Sequence, residues 1–229
     1  MKGICKLLAV DPSLTCSGWA LFSLENRALL GVGKIRSKPP SEPLQARLLD
    51  LQQQVNRFLL KVNAGVGDIL VCEGPTTMKD PRAAIKVEQV RGIFESMSRA
   101  QGIQVPGRLN PRSVQVELMG MKGRQTKRET VKKTALGVVK NLYGTQLDQI
   151  GFSKSEDDLR KNQDIVDAIL VGHLALGRIS TAIQGSIALE EIFSESGTRR
   201  RSSRFAWGSG ESNTFGWSSK EISYLGRKG

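Results

Sequence analysis

Two short apolar runs, each followed at once by an acidic residue, restrict the fold of this chain more than any other feature. Residues 7–10 precede Asp11, and residues 69–72 precede Glu73. Continuous apolar runs of this length predict strands buried on both faces, as in an α/β sheet. Carboxylates at adjacent strand ends repel each other unless a proton or a cation lies between them. Each acid taken alone is better explained as a turn-capping or solvated residue, so the prediction depends on the acids acting together.

The remaining periodicity predicts one α/β domain followed by a tail. Further strands are predicted over residues 19–22, 28–35 and 103–105. Helices are predicted over residues 43–62, 81–100, 111–120 and 163–178, and after a capping box formed by Thr126 and Glu129. The order predicts a mixed sheet flanked by helices in residues 1–185. Because Ser, Gly and Arg dominate residues 186–229, that segment is predicted to be a flexible basic tail.

A second pair of acids lies in a segment that predicts a buried helix. Asp164 and Asp167 are separated by roughly 60° on one helix face, and their neighbours are apolar. The positive end of the helix explains Asp164 alone, whereas a cation explains both acids. Oxygen ligands without a His or Cys cluster favour Mg²⁺ or Mn²⁺ over zinc. His173 lies on the opposite side of the helix from Asp164 and is predicted to be a packing residue.

The charge balance favours a polyanionic partner. The chain has 34 Lys and Arg against 22 Asp and Glu, a net charge of +12, so nucleic acid is the first candidate. Residues 108–140 are strongly basic, although a solvated basic surface without a ligand would also have this composition. The candidates for phosphate contacts in this segment are Lys122, Arg124, Lys127 and Arg128.

The cysteines and the apolar runs indicate the compartment. The three cysteines lack C-x-x-C spacing, so we expect buried free thiols in a reducing environment. No continuous apolar run approaches the ~20 residues that span a bilayer. We therefore expect a cytoplasmic protein with no membrane partner.

Taken together, these motifs resemble the RuvC family of Holliday-junction resolvases, within the RNase H-like superfamily. Residues 8–20 resemble the family's first motif, residues 69–73 its second, and residues 164–168, with the pattern D-x-x-D-A, its last. Residues 79–92 are similar to the helix after the second motif, and residues 111–120 to a short DNA-facing helix. The resemblance is spread over about residues 4–180 and is absent from the tail.

The resemblance implies an RNase H-like fold with a five-stranded mixed sheet and a nuclease with two Mg²⁺ ions per active site, for which Mn²⁺ substitutes. Asp11 would bridge both ions, and Glu73, Asp164 and Asp167 would complete the sites. One ion would activate a water and the other would stabilise the departing 3′ oxygen. It further implies a homodimer with the helix from Pro81 in the interface, paired symmetric nicks in four-way DNA junctions, and a branch-migration helicase as a possible partner.

The chain departs from the family pattern at positions that face DNA. The family has an aromatic residue three positions after the strand-end Glu, where this chain has Thr76; Met78 is an alternative apolar wedge. Gln115 stands where the family has a lysine in the short helix. Lys79 and Arg112 complete the predicted DNA contacts.

Three other functions stay open from the sequence. The D-P-S-x(4)-G turn also resembles the first phosphate loop of actin-like ATPases and sugar kinases, although no second copy of that loop is found. The same fold and cations would serve a nuclease acting on flaps, other branched DNA or RNA. A catalytically inert DNA-binding relative is disfavoured because all four acids are present.

Overall fold

The computed structural model of the chain describes residues 5–75, 80–121 and 127–193. Its strands are β1 (Lys6–Asp11), β2 (Cys16–Ser23), β3 (Leu29–Arg36), β4 (Ile69–Glu73) and β5 (Arg108–Leu109). They form one sheet in the order β3-β2-β1-β4-β5. Strand β1 is antiparallel to β2 and parallel to β4. The predicted five-stranded mixed sheet is confirmed.

Helices cover both faces of the sheet. They are α1 (Leu44–Lys61), α2 (Pro81–Ala100), α3 (Pro111–Glu117), α4 (Arg128–Gln149), α5 (Glu156–Lys161), α6 (Gln163–Gly185) and α7 (Leu189–Phe193). The apolar side chains of α1 and α2 form a core with one face of the sheet. Those of α4 and α6 form a second core with the other face. The carboxyl ends of β1 and β4 therefore lie at an edge reached by helices from both layers.

Helix α6 packs directly on β2 because two glycines allow the backbones to approach closely. A Cβ atom added at Gly18 would lie 1.9 Å from the carbonyl oxygen of Asp164, and one added at Gly172 would lie 2.1 Å from the Phe22 ring. By length and composition α6 would suffice to cross a membrane, but 67% of its most apolar window is buried inside the fold. This close packing fixes the first turn of α6 against the sheet.

Several predicted boundaries are wrong. The fifth strand is Arg108–Leu109, whereas Gln104, in the predicted strand, makes one isolated bridge to Ile69. Pro106 has no backbone N–H with which to continue a ladder, so regular pairing begins after it. Helix α6 continues seven residues past the predicted end at Arg178, because its C-cap is Ser186 in the left-handed conformation.

Two short helices lie where the sequence predicts irregular chain. Helix α5 is capped by Ser155, whose hydroxyl accepts a hydrogen bond from the Asp158 N–H, and it buries Leu159. Helix α7 lies in the predicted tail, and its Phe193 is buried against the α6 core. Residues 194–229 lie outside the described residues, so a flexible tail there stays a prediction.

The predicted burial of the cysteines is correct for one of the three. Cys72 is buried in β4, Cys16 is partly exposed and Cys5 is exposed. Cys5 precedes the first strand and therefore lies at the edge of the core.

Candidate active site

The strand register brings two of the predicted acids together. Val10 of β1 pairs with Cys72 of the parallel strand β4, so Asp11 and Glu73 follow side by side at the same edge. Asp11 is also paired with Gly18 of β2, which in turn pairs with Lys34 of β3. Since Gly18 has no side chain, the backbone of α6 occupies the space above it.

All four predicted acids line one cavity of about 510 Å³, which we call the carboxylate cleft. Asp11 and Glu73 come from the sheet edge, and Asp164 and Asp167 from the first turns of α6. The other sides of the cleft are formed by α2, α3 and α4. The structure thus brings together acids that are up to 156 positions apart in the sequence.

Each carboxylate in the cleft has a polar partner from the protein. Asp11 and Glu73 are hydrogen-bonded to each other. Asp164 forms an ion pair with the Lys34 Nζ at 3.1 Å, and the Gln163 Nε2 donates to Asp167 at 2.9 Å. Within the described ranges, no three His, Cys, Asp or Glu side chains are close enough to form a ready-made metal site.

Burial makes the cleft unfavourable for negative charge without compensation. Burial, followed by the repulsion of neighbouring carboxylates, raises the pKa of Asp167 to about 7. Burial also raises the pKa of Asp11 and of Glu73, and the protonated form of Glu73 donates its hydrogen bond to the Asp11 carboxylate. Protons and cations therefore compete for the same carboxylate oxygens in the cleft.

The donor chemistry of the cleft fits a hard divalent cation. Its four acids supply only oxygen ligands, and the single histidine of the chain lies elsewhere, since the Tyr143 hydroxyl is 2.7 Å from the His173 Nδ1 between α4 and α6. Carboxylate oxygens without His or Cys suit Mg²⁺ or Mn²⁺. The role of the acids as metal ligands and catalytic residues stays a prediction.

One wall of the cleft, on α2, contains a buried arginine that sequence analysis did not single out. The Nε of Arg91 donates to the carbonyl oxygen of Glu73 at 2.7 Å, and its guanidinium pairs with Glu88. Arg108 of β5 pairs with Glu88 at 3.0 Å and with the buried Glu95 at 2.6 Å. This network of two arginines and two glutamates fixes the end of β4 against α2. Arg91 stands in the segment similar to the family's helix, which was the only available signal.

The opposite wall, on α4, contains cations at the cleft. Arg128 and Lys132 line it, and the positive charge of Lys132 acts on the Asp167 carboxylate. Sequence analysis selected Arg128 but not Lys132. Lys34 was also missed, because only the register across three strands shows that it faces Asp164.

The other predicted DNA contacts are placed as follows. Lys127 is exposed immediately before α4. Arg112 of α3 donates to the side chain of Gln115, which lines the cleft. The predicted contacts and wedge residues outside the described residues are Thr76, Met78, Lys79, Lys122 and Arg124.

Comparisons with known proteins give related sequences. No family model matches the chain. It is 31% identical over 102 residues to the crossover junction endodeoxyribonuclease RuvC of Rhodopseudomonas palustris (strain BisA53), a match that spans 44% of this chain and 56% of that protein. It is 27% identical over 123 residues to the protein of the same name from Chelativorans sp. (strain BNC1), covering 53% of this chain and 69% of that one. The match thus extends over little more than half of the first relative.

A solved structure shares the fold. The T. thermophilus RuvC in complex with a Holliday junction substrate superimposes with a TM-score of 0.54 at 16% identity, over 80% of this chain and 97% of that one. The chain is therefore distantly related to the RuvC proteins in sequence and shares their RNase H-like fold.

Proposed function

We propose that this chain is a divalent-metal-dependent endodeoxyribonuclease that makes paired nicks in four-way DNA junctions. The observation that supports the proposal most strongly is the convergence of Asp11, Glu73, Asp164 and Asp167 on one cleft at the carboxyl ends of β1 and β4. The distant relationship to the RuvC proteins supports the substrate class.

The four carboxylates would hold two Mg²⁺ ions, for which Mn²⁺ substitutes. When bound, such ions supply a nucleophile at neutral pH and stabilise charge on a phosphodiester. The protein's own contribution is to place the carboxylates on rigid elements: two at strand ends and two on a helix packed against Gly18. Arg91 acts through the backbone of Glu73 and is a positioning residue.

Removal of any one carboxylate tests the proposal directly. We expect Asp11→Asn and Asp167→Asn to lower Mg²⁺-dependent cleavage of a synthetic four-way junction by roughly 10³-fold or more. Binding of the junction should persist or improve, because a negative charge near phosphate is removed. Glu42→Gln, an exposed acid before α1, is the matched control and should cleave normally. Full cleavage by Asp11→Asn, Glu73→Gln and Asp167→Asn would exclude the proposed site.

A panel of substrates separates the junction from the other nucleic acids. The wild-type protein should cleave the four-way junction in preference to flaps, linear duplex and RNA, at rates compared under single-turnover conditions. A preference for flaps or RNA would support the proposed nuclease activity but contradict the proposed junction substrate. Binding of the junction without any cleavage would identify an inert DNA-binding relative.

A homodimer completes the proposal, because paired nicks need two active sites. Helix α2 is the proposed interface, and its Ile85 is 61% exposed in the single chain. A branch-migration helicase as partner and a cytoplasmic location remain predictions from the sequence.

A further inference from the structure

A second cavity, of about 530 Å³, adjoins the carboxylate cleft between α4, α5 and the start of α6. We call it the basic groove. Its cationic side chains are Arg128, Lys132, Lys133 and Arg160, and its anionic ones are Glu129 and Glu156. Four positive and two negative charges leave it with a net charge of +2.

The basic groove is continuous with the carboxylate cleft. Arg128, Lys132 and Gln163 line both cavities. Lys133 and Arg160 line only the groove, which places them beyond the cleft along the same surface. A chain of phosphates that crosses the carboxylates can therefore continue into the groove.

The cations of the groove are only partly compensated by the protein. All four are exposed, and among the described residues none of their side chains is within ion-pair distance of a carboxylate, although the charge of Lys132 acts on Asp167 at longer range. Glu129 is four residues before Lys133 on α4, a spacing that favours pairing in helices, yet no ion pair is formed. Like charges gathered in one cavity repel each other, and an anion entering the cavity offsets this repulsion.

We propose that the basic groove is a second phosphate-binding subsite, which holds a phosphodiester of the cleaved DNA strand next to the scissile one. This inference rests on the proposed function for its ligand, and it adds Lys133 and Arg160 of α4 and α5 to the DNA-binding surface. Arginine binds phosphate through a planar fork and lysine as a point charge, so the pair holds one phosphate from two helices. Fixing a neighbouring phosphate orients the strand over the carboxylates.

The first test compares two double variants with equal change of charge. Lys133→Gln/Arg160→Gln removes the cations that line only the groove. Arg57→Gln/Lys61→Gln removes two exposed cations of α1, which packs on the other face of the sheet. Binding of a four-way junction is measured by fluorescence anisotropy in Ca²⁺ over a series of NaCl concentrations.

We expect the groove variant to bind about tenfold or more weakly, and its plot of log affinity against log salt to lose roughly one unit of slope for each bound chain, because the two cations hold one phosphate. The α1 variant should retain most of the wild-type slope. Lys133→Arg/Arg160→Lys should restore binding. Equal losses in the groove and α1 variants would overturn the inference, because they would show a response to net charge alone.

The second test identifies the phosphate. Successive phosphates near the cleavage point are replaced one at a time by neutral methylphosphonates. At the position held by the groove, the losses caused by the DNA change and by the protein variant should not add. If the losses in binding from the DNA change and from the protein variant add at every position, the groove does not hold a phosphate and the inference is contradicted.

Cleavage by the wild-type protein in Mg²⁺ is measured on the same junction. Its absence would reject the proposed nuclease, whereas the binding cycles report on the groove independently.

Discussion

The two walls of the carboxylate cleft use positive charge in opposite ways. On the α2 side, Arg91 and Arg108 are paired with Glu88 and Glu95, and Arg91 is only 2% exposed. On the α4 side, the four cations of the basic groove are exposed and form no ion pair among the described residues. The same residue types therefore stand in two different electrostatic environments within one site.

This difference separates cations that are bound within the protein from cations whose charge is available to a ligand. A buried arginine that satisfies a backbone carbonyl and a carboxylate is fixed, and its removal leaves buried polar groups without partners. An exposed cation without a partner costs little to remove, and its charge is available to an anion. We therefore infer that the α2 wall holds β4 in place, and we propose that the α4 wall binds DNA.

The largest expected effect is a difference in the free energy of unfolding between a variant of the α2 wall and a variant of the α4 wall. Arg91→Met leaves the Glu73 carbonyl without its donor and removes one of the two arginines that pair with Glu88, so it should lower the free energy of unfolding by about 3 kcal/mol. Because Glu88 is partly exposed, the expected loss is near the lower end of the losses measured when buried ion pairs are broken. Lys132→Gln on the α4 wall should change stability by less than about 0.5 kcal/mol. Chemical denaturation measures both, and equal losses would remove the distinction between the walls.

A second effect concerns the carboxylates between the walls. The pKa of Asp167 is raised from 3.8 to about 7, and those of Asp11 and Glu73 are also raised, so the folded protein retains protons that the unfolded chain releases. Without divalent cations, stability should therefore be full below about pH 4 and fall as pH rises through about 7.

Thermal unfolding in a chelator measures this dependence. The midpoint should decrease by about 5 °C or more between pH 5 and 8, and added Mg²⁺ should reverse the decrease at pH 8. Asp11→Asn should weaken the dependence of the unfolding midpoint on pH, because it removes one of the interacting carboxylates. A midpoint that rises with pH over this range would contradict the assigned direction.

The smallest expected effect concerns Lys34 of β3, which pairs with Asp164. Its ion pair with Asp164 competes with any cation for that carboxylate. Lys34→Gln should therefore tighten Mn²⁺ binding, by only about threefold because the Asp164 side chain is 37% exposed and solvent screens the pair. Electron paramagnetic resonance of free Mn²⁺ measures the change. Lys38→Gln, an exposed lysine just after β3, is the control, and weaker binding by Lys34→Gln would show that Lys34 supports the site instead.

The sequence predicts those parts of the site that depend on local pattern. Asp11 and Glu73 directly follow buried runs, and Asp164 and Asp167 have the spacing of one helix face, so their convergence could be anticipated. The position of Lys34 beside Asp164 could not be anticipated, because it depends on the pairing of Gly18 with Asp11 on one side and with Lys34 on the other.

Other features depend on tertiary packing that a single sequence does not reveal. Arg160 reaches the basic groove only because α5 packs beside α4 and α6, and α5 itself is a six-residue helix with one buried side chain. The fifth strand was misplaced because Ile103 is apolar and buried without being part of the ladder. In both cases the burial of a residue does not reveal its secondary structure, and the periodicity of apolar residues predicts only burial.

Titration with Mn²⁺ tests most directly whether the four carboxylates act as one metal-binding unit. The wild-type protein should bind two ions per chain, and Asp11→Asn, Glu73→Gln, Asp164→Asn and Asp167→Asn should each weaken binding by roughly tenfold or more, while Glu42→Gln leaves it unchanged. Binding that is absent in the wild type, or equal in all five variants, would contradict the account.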